Sequence, residues 1–252
     1  MVLSMDRWIG KVAIVTGASS GIGATIAEKL VEIGLQVVGL ARRKERMEQL
    51  AEKLAGKKGK LYPIKTDLSK EEDILNAFKW VKENLGPIHI LINNAALNKS
   101  TSLTDGDIEI WKNVFAVNVI GLCIATREAV RDMRANNVDG HIIHINSVVG
   151  DQVINFPNLN VYPASKFAVR ALAETLRLEL NASKLKIKIT NLSPGGVDTE
   201  MIGEFKETEL YKKFVEAHEI LEPEVIADGV IYALSTPPHV QVKIKKIYIF
   251  IY

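Results

Sequence analysis

Short apolar runs alternate with longer amphipathic stretches along almost the whole chain. The runs are rich in Val and Ile and predict six strands, at residues 11–16, 36–40, 60–66, 88–93, 141–146 and 186–192. They are apolar on both faces or nearly so, which is the pattern of a parallel sheet covered on both sides. The stretches between them have helical periodicity and predict helices at roughly 21–34, 44–55, 70–85, 105–134, 160–181 and 224–235.

Strands and helices that alternate in this way build right-handed βαβ units and an α/β fold with a doubly wound sheet. The sequence contains no linker, no long repeat and no low-complexity tract, so the 252 residues predict a single domain. One local start signal is Ser69 followed by Glu72, a spacing that predicts a capping box at the third helix.

Composition narrows the class of protein. A hydrophobic share of 47% and a charged share of 25% are ordinary for a soluble globular domain. The net charge of +2 argues against general binding of nucleic acid, although a local basic site stays open. The single cysteine, Cys123, cannot form an intramolecular disulfide or a Cys-rich metal site; we expect no metal and a reducing, cytoplasmic location. We also expect no membrane span and no secretory signal.

A glycine-rich turn follows the first predicted strand and opens the first predicted helix. Such glycines let the backbone turn sharply and approach a pyrophosphate, and the helix N-terminus offers free N–H groups to the anion. Its place in a βαβ unit favours a dinucleotide site over a purely structural turn. The candidate cofactor residues here are Gly17, Ser19, Ser20, Gly21, Ile22 and Gly23.

The end of the second predicted strand indicates which dinucleotide is bound. A site for NAD places an Asp or Glu there, but this chain has Arg42 and Arg43 and no acid before Glu45. A guanidinium group suits a 2′-phosphate, so the sequence predicts NADP(H), with Arg42 the better candidate. The alternative is a solvated basic start to the next helix.

Several motifs together resemble the short-chain dehydrogenase/reductase family over nearly the entire chain. They are the glycine-rich turn, Asn93-Asn94-Ala95-Ala96, Asn118, Ser147, Tyr162-Pro163-Ala164-Ser165-Lys166 and Pro194-Gly195, in the family's order and spacing. The resemblance implies a seven-stranded Rossmann sheet of strand order 3-2-1-4-5-6-7, with the cofactor and substrate sites in one unit.

Within this family, residues 5–8, 38–43, 67–75 and 232–241 resemble a group of animal NADP-dependent enzymes. The group includes insect farnesol dehydrogenases and a vertebrate reductase of 3- and 17-ketosteroids. The resemblance implies an enzyme that interconverts a lipophilic alcohol with its aldehyde or ketone, farnesol first and a ketosteroid or another carbonyl as the alternative. A catalytically silent NADP-binding sensor is the alternative from another class, and it predicts that the catalytic residues are incomplete.

The expected acid/base group is Tyr162, which lies four residues before Lys166 and therefore shares a helix face with it. A free phenol has a pKa of about 10, and we expect the Lys166 ammonium to lower it. Ser147 ends the fifth predicted strand and is expected to bond the substrate oxygen. The resemblance further implies that Lys166 bonds the nicotinamide ribose and that Asn118 anchors a water.

The resemblance also implies contacts with the cofactor for several individual residues. It implies that Asp67 and Leu68 lie at the adenine, that Asn94, Ala95 and Ala96 lie at its ribose, and that Pro194, Gly195, Val197 and Thr199 lie at the nicotinamide. Ala96 stands where the family usually has glycine; at a positive φ its Cβ would cost about 1–2 kcal/mol. Asp198 and Glu200 are expected to be solvated.

Apolar residues flank the expected substrate position. Val149, Val153 and Phe156 follow the fifth strand, and Met201 and Phe205 lie in a stretch, about 197–216, that the family implies is a mobile lid. With Ser147 and Tyr162 they form the predicted substrate site. Apolar walls suit a lipophilic alcohol or ketone, and the alternative is ordinary core packing.

Apolar surface exceeds what one sheet can cover. Residues 117–125 are apolar almost all round, and Phe167 begins a broad apolar face on the next helix. This surplus indicates burial against another subunit, and the resemblance implies a homodimer or homotetramer through these two helices. We expect Cys123 to be a small buried hydrophobe. Residues 247–252 are six consecutive apolar or aromatic residues, which lie at a subunit contact or form an atypical end.

Overall fold

In the computed structural model, which describes residues 3–155, 159–207, 209, 211 and 220–248, seven parallel strands form one sheet. The order across the sheet is β3-β2-β1-β4-β5-β6-β7, so the predicted fold class and strand order are confirmed. The strands are β1 Val12–Thr16, β2 Gln36–Ala41, β3 Lys60–Lys65, β4 Ile88–Asn93, β5 His141–Ile145, β6 Lys188–Pro194 and β7 Ile244–Ile247.

Helices cover both faces of the sheet. They are α1 Gly21–Ile33, α2 Lys44–Lys53, α3 Glu71–Asn84, α4 Ile108–Phe115, α5 Leu122–Ala135, α6 Tyr162–Ala182 and α7 Pro223–Ser235. Short 3-10 turns lie at Asp6–Trp8, Val148–Gly150 and Glu200–Glu207. A π-turn over Ala116–Gly121 joins α4 to α5, so the helix predicted at 105–134 is continuous but locally widened.

The strands are apolar on both faces because the sheet separates two hydrophobic cores. In β1, Ala13 and Val15 face the core under α1 and α7, whereas Val12 and Ile14 face the core under α3, α5 and α6. Side chains alternate along a strand, so adjacent residues necessarily enter different cores. All four are at most 3% exposed, which explains the unbroken apolar run.

The strand order reverses between β1 and β4. β1 pairs with β2 on one side and with β4 on the other, and the helices that follow these two strands, α1 and α4–α5, pack on opposite faces of the sheet. Crevices at such a reversal are where open α/β sheets bind their ligands. The topology therefore brings the glycine-rich turn and the Asn93–Ala96 turn together.

The predicted capping box at Ser69 is wrong. The third helix begins at Glu71, and its N-cap residue Lys70 makes no side-chain cap bond. Ser69 instead donates both its N–H and its hydroxyl to the Asp67 carboxylate, at 3.0 and 2.7 Å. A nearby acceptor with two free oxygens outcompetes the helix terminus for the serine.

One helix is long and apolar enough to cross a membrane by length and composition alone, which the sequence analysis did not anticipate. It is the continuous helix Ile108–Ala135. Within the domain it covers the sheet: Ala125, Ala129 and Met133 are fully buried, and the Asp132 carboxylate accepts a bond from the Ile88 N–H at 2.8 Å. We interpret it as a layer helix of this fold.

Adjacent residues of α3 allow a matched test of the core. Ile74 is fully buried whereas Leu75 is 37% exposed, and the two side chains have equal size. We expect Ile74→Ala to lower the free energy of unfolding by about 2–5 kcal/mol because it leaves a cavity. Leu75→Ala should cost less than about half of that. Urea unfolding measures both, and equal losses would contradict the assignment of faces.

Candidate active site

The turn after β1 approaches the turn after β4 so closely that its glycines have no room for a side chain. A Cβ on Gly17, where φ is +70°, would lie 2.8 Å from Ala95 Cα. A Cβ on Gly23 would lie 2.3 Å from the Gly17 carbonyl oxygen. The glycines therefore serve both the positive φ and the close contact.

Thr16, which the sequence analysis did not single out as a site residue, holds these two turns together. Its hydroxyl accepts bonds from the N–H groups of Asn94 and Ala95, each at 3.0 Å. The Asn94 amide donates in return to the carbonyl oxygens of Thr16 and Gly17, at 3.0 and 3.3 Å. The only sequence signal was a hydroxyl residue at the end of a buried strand.

The expected strain at Ala96 does not arise. Among the described residues other than glycine, positive φ occurs only at Asn137, Asn160 and Lys184. Ala96 thus has a backbone conformation that any L-residue adopts, and its Cβ has no conformational cost there.

A cleft of about 190 Å³ lies between these turns and the end of β2. Predicted cofactor residues line it: Gly17, Ser19, Ser20, Gly21, Ile22, Arg42, Arg43, Asp67, Leu68, Asn94, Ala95, Ala96 and Thr199. Gly23 packs beneath the turn. The glycine cradle, the N-terminus of α1 and the guanidinium groups at one end fit a dinucleotide, with its pyrophosphate at the turn.

The two arginines differ in their surroundings. Arg42 is exposed and forms no ion pair within the part of the chain that the structure describes. Arg43 donates to Glu200 at 2.8 Å and to the Ser20 hydroxyl at 2.8 Å. Glu200 is 54% exposed, so it is solvated as expected, but it is also ion-paired. Likewise, Asp198 is 43% exposed and pairs with Lys206.

Asp67 lies at the start of the loop after β3 and lines the same cleft as the two arginines. Burial opposes ionisation of its carboxyl, but the two bonds from Ser69 and the charges of Arg42 and Lys70 lower its pKa below the usual value. Asp67 is therefore held as a carboxylate in a fixed orientation.

Ser147, Tyr162 and Lys166 meet at the carboxyl end of β5. Ser147 is the N-cap of the Val148–Gly150 turn, where its hydroxyl accepts from the Val149 N–H at 3.3 Å, and it lies near enough to the Tyr162 phenol to influence its pKa. The Lys166 ammonium donates to the Ile145 carbonyl at 3.0 Å and lies 5.6 Å from the centre of the Tyr162 ring. The i,i+4 spacing and the strand end thus bring the three side chains together as expected.

Asn118 joins this group from the π-turn. Its Oδ1 accepts from the Leu97 N–H at 2.7 Å, and its Nδ2 donates to the Leu97 carbonyl and to the Ser165 hydroxyl, at 2.9 and 3.1 Å. Ser165 in turn donates to the Tyr162 carbonyl at 2.7 Å. Both amide hydrogens are used, so the implied water anchor has one Oδ1 lone pair available and stays a prediction.

Burial shifts the two titrating groups in opposite senses. It raises the pKa of Tyr162 to about 12, although the Ser147 hydroxyl acts in the opposite sense, and it lowers the pKa of Lys166 to about 8. The expectation that Lys166 lowers the phenol pKa is not met in this arrangement, because desolvation dominates and the ammonium bonds Ile145. Tyr162 therefore holds its proton at neutral pH.

A second cavity, of about 340 Å³, opens beside Tyr162. Of the predicted substrate residues, Ser147, Val149, Tyr162 and Met201 line it, but Val153 does not: its side chain is 72% exposed. Phe156 and the side chain of Phe205 lie outside the described residues. Ile154, Leu159, Ile202 and Tyr211 also line the cavity; they belong to the two stretches that were expected to form the substrate wall and lid. Ile220 lines it too, and nothing in the sequence singled it out.

The predicted nicotinamide loop follows β6 at the mouth of this cavity. Pro194, Gly195 and Val197 line the cavity, and the Gly195 N–H donates to the Ile247 carbonyl at 2.7 Å. Ile247 belongs to β7 and packs against the core, so it is not an exposed apolar residue. Residues 249–252 lie outside the described part, and both explanations of that segment stay open.

A glycine cradle at the reversal of a parallel sheet, next to a Ser, Tyr and Lys group, defines a dinucleotide-dependent oxidoreductase. The family profile described as short chain dehydrogenase matches residues 11–210. The chain therefore belongs to the short-chain dehydrogenase family and is an NAD(P)-dependent oxidoreductase. No group of three or more metal-ligating side chains occurs among the described residues.

Two relatives and one solved structure are similar over nearly the full length. Farnesol dehydrogenase from Aedes aegypti is 48% identical and covers 94% of this chain and 95% of its own. Human dehydrogenase/reductase SDR family member 11 is 45% identical, over 94% of each chain. A Burkholderia cenocepacia short chain dehydrogenase in complex with NADP has a TM-score of 0.85 at 25% identity, over 96% and 98% of the two chains.

The buried Lys166 makes a testable contribution to the pH dependence of stability. Its pKa is lowered from 10.5 to about 8, so the unfolded state binds more protons between these values and stability rises with pH. Relative to Lys166→Met, the wild type should gain about 2–3 kcal/mol of unfolding free energy between pH 7 and pH 10. Urea unfolding at each pH measures this, and Lys82→Met, at an exposed site on α3, controls for the lost charge. A constant difference between wild type and Lys166→Met would contradict the shift.

Proposed function

We propose that this protein is an NADP(H)-dependent dehydrogenase that interconverts a lipophilic alcohol with its aldehyde or ketone. The observation that carries the proposal is the junction of the two cavities. The dinucleotide cleft and the apolar cavity share Ile22, Asn94, Ala96, Thr199 and Met201, and the Tyr162 group lies on the apolar side. A substrate in the second cavity therefore lies next to whatever fills the first.

The chain's own residues supply binding, orientation and proton transfer. When bound, the dinucleotide supplies or accepts the hydride of the reaction. In reduction, Tyr162 donates its proton to the developing alkoxide oxygen; in oxidation, the phenolate accepts the alcohol proton. Ser147 orients the substrate oxygen by a hydrogen bond. We further propose that Lys166 bonds the nicotinamide ribose, since its ammonium is held at 3.0 Å from the Ile145 carbonyl beside Tyr162.

Arginines at the end of β2 support NADP(H) over NAD(H). Arg42 and Arg43 line the cleft at the position where an NAD site places an acid, and guanidinium groups bind phosphate in a planar, bidentate manner. The Burkholderia structure, similar over the whole domain, is described in complex with NADP.

Farnesol is our first proposal for the substrate. Support comes from the 48% identical Aedes aegypti farnesol dehydrogenase and from apolar cavity walls such as Val149, Ile154 and Ile202. The second proposal is a ketosteroid or another lipophilic carbonyl, favoured by the subgroup resemblance of residues 232–241. We also propose a cytoplasmic location, because a chain with a single cysteine suits a reducing compartment. Cys123 itself is half-buried, and burial raises the pKa of its thiol, so it is a poor nucleophile.

Replacement of Tyr162 distinguishes an enzyme from a silent sensor. Purified wild type should turn over members of a panel of farnesol, retinol, steroids and small dicarbonyls, with NADP+ or NADPH. Tyr162→Phe should lower kcat by at least about 100-fold because it removes the proton donor. Fluorescence titration with NADPH should show unchanged cofactor binding. Full turnover by Tyr162→Phe would exclude Tyr162 as the acid/base, and a wild type that binds NADPH but reduces none of the panel would favour the sensor.

We propose a homodimer or homotetramer built through α4–α5 and α6. Large apolar side chains on these helices are exposed, including Ile120 at 55% and Leu178 at 54%, together with Phe115 and Phe167. Sedimentation or gel filtration should give at least twice the 27.9 kDa chain mass. Ile120→Asp on this surface should shift the population toward monomer, because it buries a charge at the contact. A monomeric wild type would contradict the proposal.

A further inference from the structure

Arg43 has a partner from a distant segment that also lines the dinucleotide cleft. Arg43 is the N-cap residue of α2, and Glu200 opens the 3-10 segment after β6. Arg43 Nη1 lies 2.8 Å from Glu200 Oε2, and Arg46 bonds the other carboxylate oxygen, Oε1. Both residues of the 2.8 Å pair line the cleft, so the pair forms part of its wall.

Both terminal nitrogens of the Arg43 guanidinium are engaged in this arrangement. Its second terminal nitrogen bonds the Ser20 hydroxyl at 2.8 Å and lies 3.4 Å from the Ser19 hydroxyl, both on the glycine-rich turn. Glu200 thus holds the arginine against the turn that would carry the pyrophosphate. The bonds from Arg43, and then those from Arg46, lower the pKa of the Glu200 carboxyl, so it is ionised at neutral pH.

This ion pair is of the kind that exchanges readily. The Arg43 and Glu200 side chains are 46% and 54% exposed, and ion pairs in such positions contribute little net stability because water screens them. A phosphate dianion carries more charge than a carboxylate and presents three oxygens, so it is the stronger partner for a guanidinium fork.

We propose that Glu200 is a specificity-determining residue that competes with the cofactor 2′-phosphate for Arg43. The proposal rests on the proposed NADP(H) preference. Binding of the 2′-phosphate breaks the Arg43–Glu200 pair, and by linkage the pair weakens binding of the 2′-phosphate by the same factor. A dinucleotide without that phosphate leaves the pair intact. Glu200 therefore sets how strongly the site prefers NADP(H) to NAD(H), and it moderates that preference.

The test compares two cofactor fragments that differ only in the 2′-phosphate: adenosine 2′,5′-bisphosphate and adenosine 5′-monophosphate. Calorimetric titration of cofactor-free wild type and Glu200→Gln, at pH 7 and fixed ionic strength, gives both Kd values. Glu200→Gln should bind the bisphosphate about two- to five-fold more tightly, as expected for the release of an exposed ion pair. Its affinity for the monophosphate should not change.

Asp198→Asn is the matched control. It removes one negative charge from the same segment and breaks the ion pair with Lys206, but Asp198 does not line the cleft. Its bisphosphate affinity should equal that of wild type. In an Arg43→Gln background, Glu200→Gln should no longer increase the affinity for the bisphosphate, because the guanidinium for which Glu200 and the 2′-phosphate compete is absent.

The outcomes separate this proposal from the one on which it rests. If wild type prefers the bisphosphate but Glu200→Gln binds the bisphosphate equally tightly or more weakly than wild type, the competition is refuted and the NADP(H) preference stands. If neither protein prefers the bisphosphate, the NADP(H) preference fails and the competition fails with it. Weaker binding of the monophosphate by Glu200→Gln would refute the competition too, because it would make Glu200 a ribose ligand.

Discussion

The contact between the turn after β1 and the turn after β4 is the constraint on which the rest of the site depends. Gly17 and Gly23 leave no space for a Cβ, and the Thr16 hydroxyl ties both turns together through two N–H groups. This contact fixes the floor of the dinucleotide cleft. It also fixes the position of the chain after β4, which leads to Leu97. The Leu97 N–H donates to the Asn118 side chain, Asn118 donates to the Ser165 hydroxyl, and Ser165 donates to the Tyr162 carbonyl on α6.

The Ser147, Tyr162 and Lys166 group is built around a buried cation that has no carboxylate partner in the described structure. Lys166 is 3% exposed, and its bond to the Ile145 carbonyl only partly offsets desolvation, as its lowered pKa shows. A hydrophobic residue there would fold more easily at neutral pH. Stability has thus been given up at this position for a positive group beside the phenol, which is common where binding and catalysis are concentrated.

Much of the fold could be predicted from the sequence, because the patterns that predict it are long or are supported by more than one physical constraint. The strand runs are apolar on both faces, as in Val12–Thr16, and each separates two cores, so their burial was predictable. β7 escaped the periodicity analysis because it is a four-residue edge strand containing two lysines; only the family resemblance implied it. Ser69 was misassigned because a capping signal cannot reveal a competing acceptor nearby, here Asp67.

Contacts between distant segments were the least predictable part of the site. The four catalytic candidates and the glycine-rich turn have fixed spacings, and the structure brings them together. The partner of Arg43 is 157 positions away, so no local pattern indicates that Glu200 meets it. Val153 is apolar and near Ser147 in sequence, yet it is 72% exposed, whereas its neighbour Ile154 lines the cavity. Hydrophobicity alone does not say which side of a loop faces a cavity.

The bond between Gly195 and Ile247 makes the edge of the sheet part of the active centre. The last described strand holds the loop that frames the cavity mouth, and a Cβ on Gly195 would lie only 2.9 Å from Tyr248 Cβ. Sequence variation in β7 is therefore not confined to the periphery. Related enzymes could diverge in the shape of their substrate entrance through substitutions in this strand, while every residue that performs the chemistry stays the same.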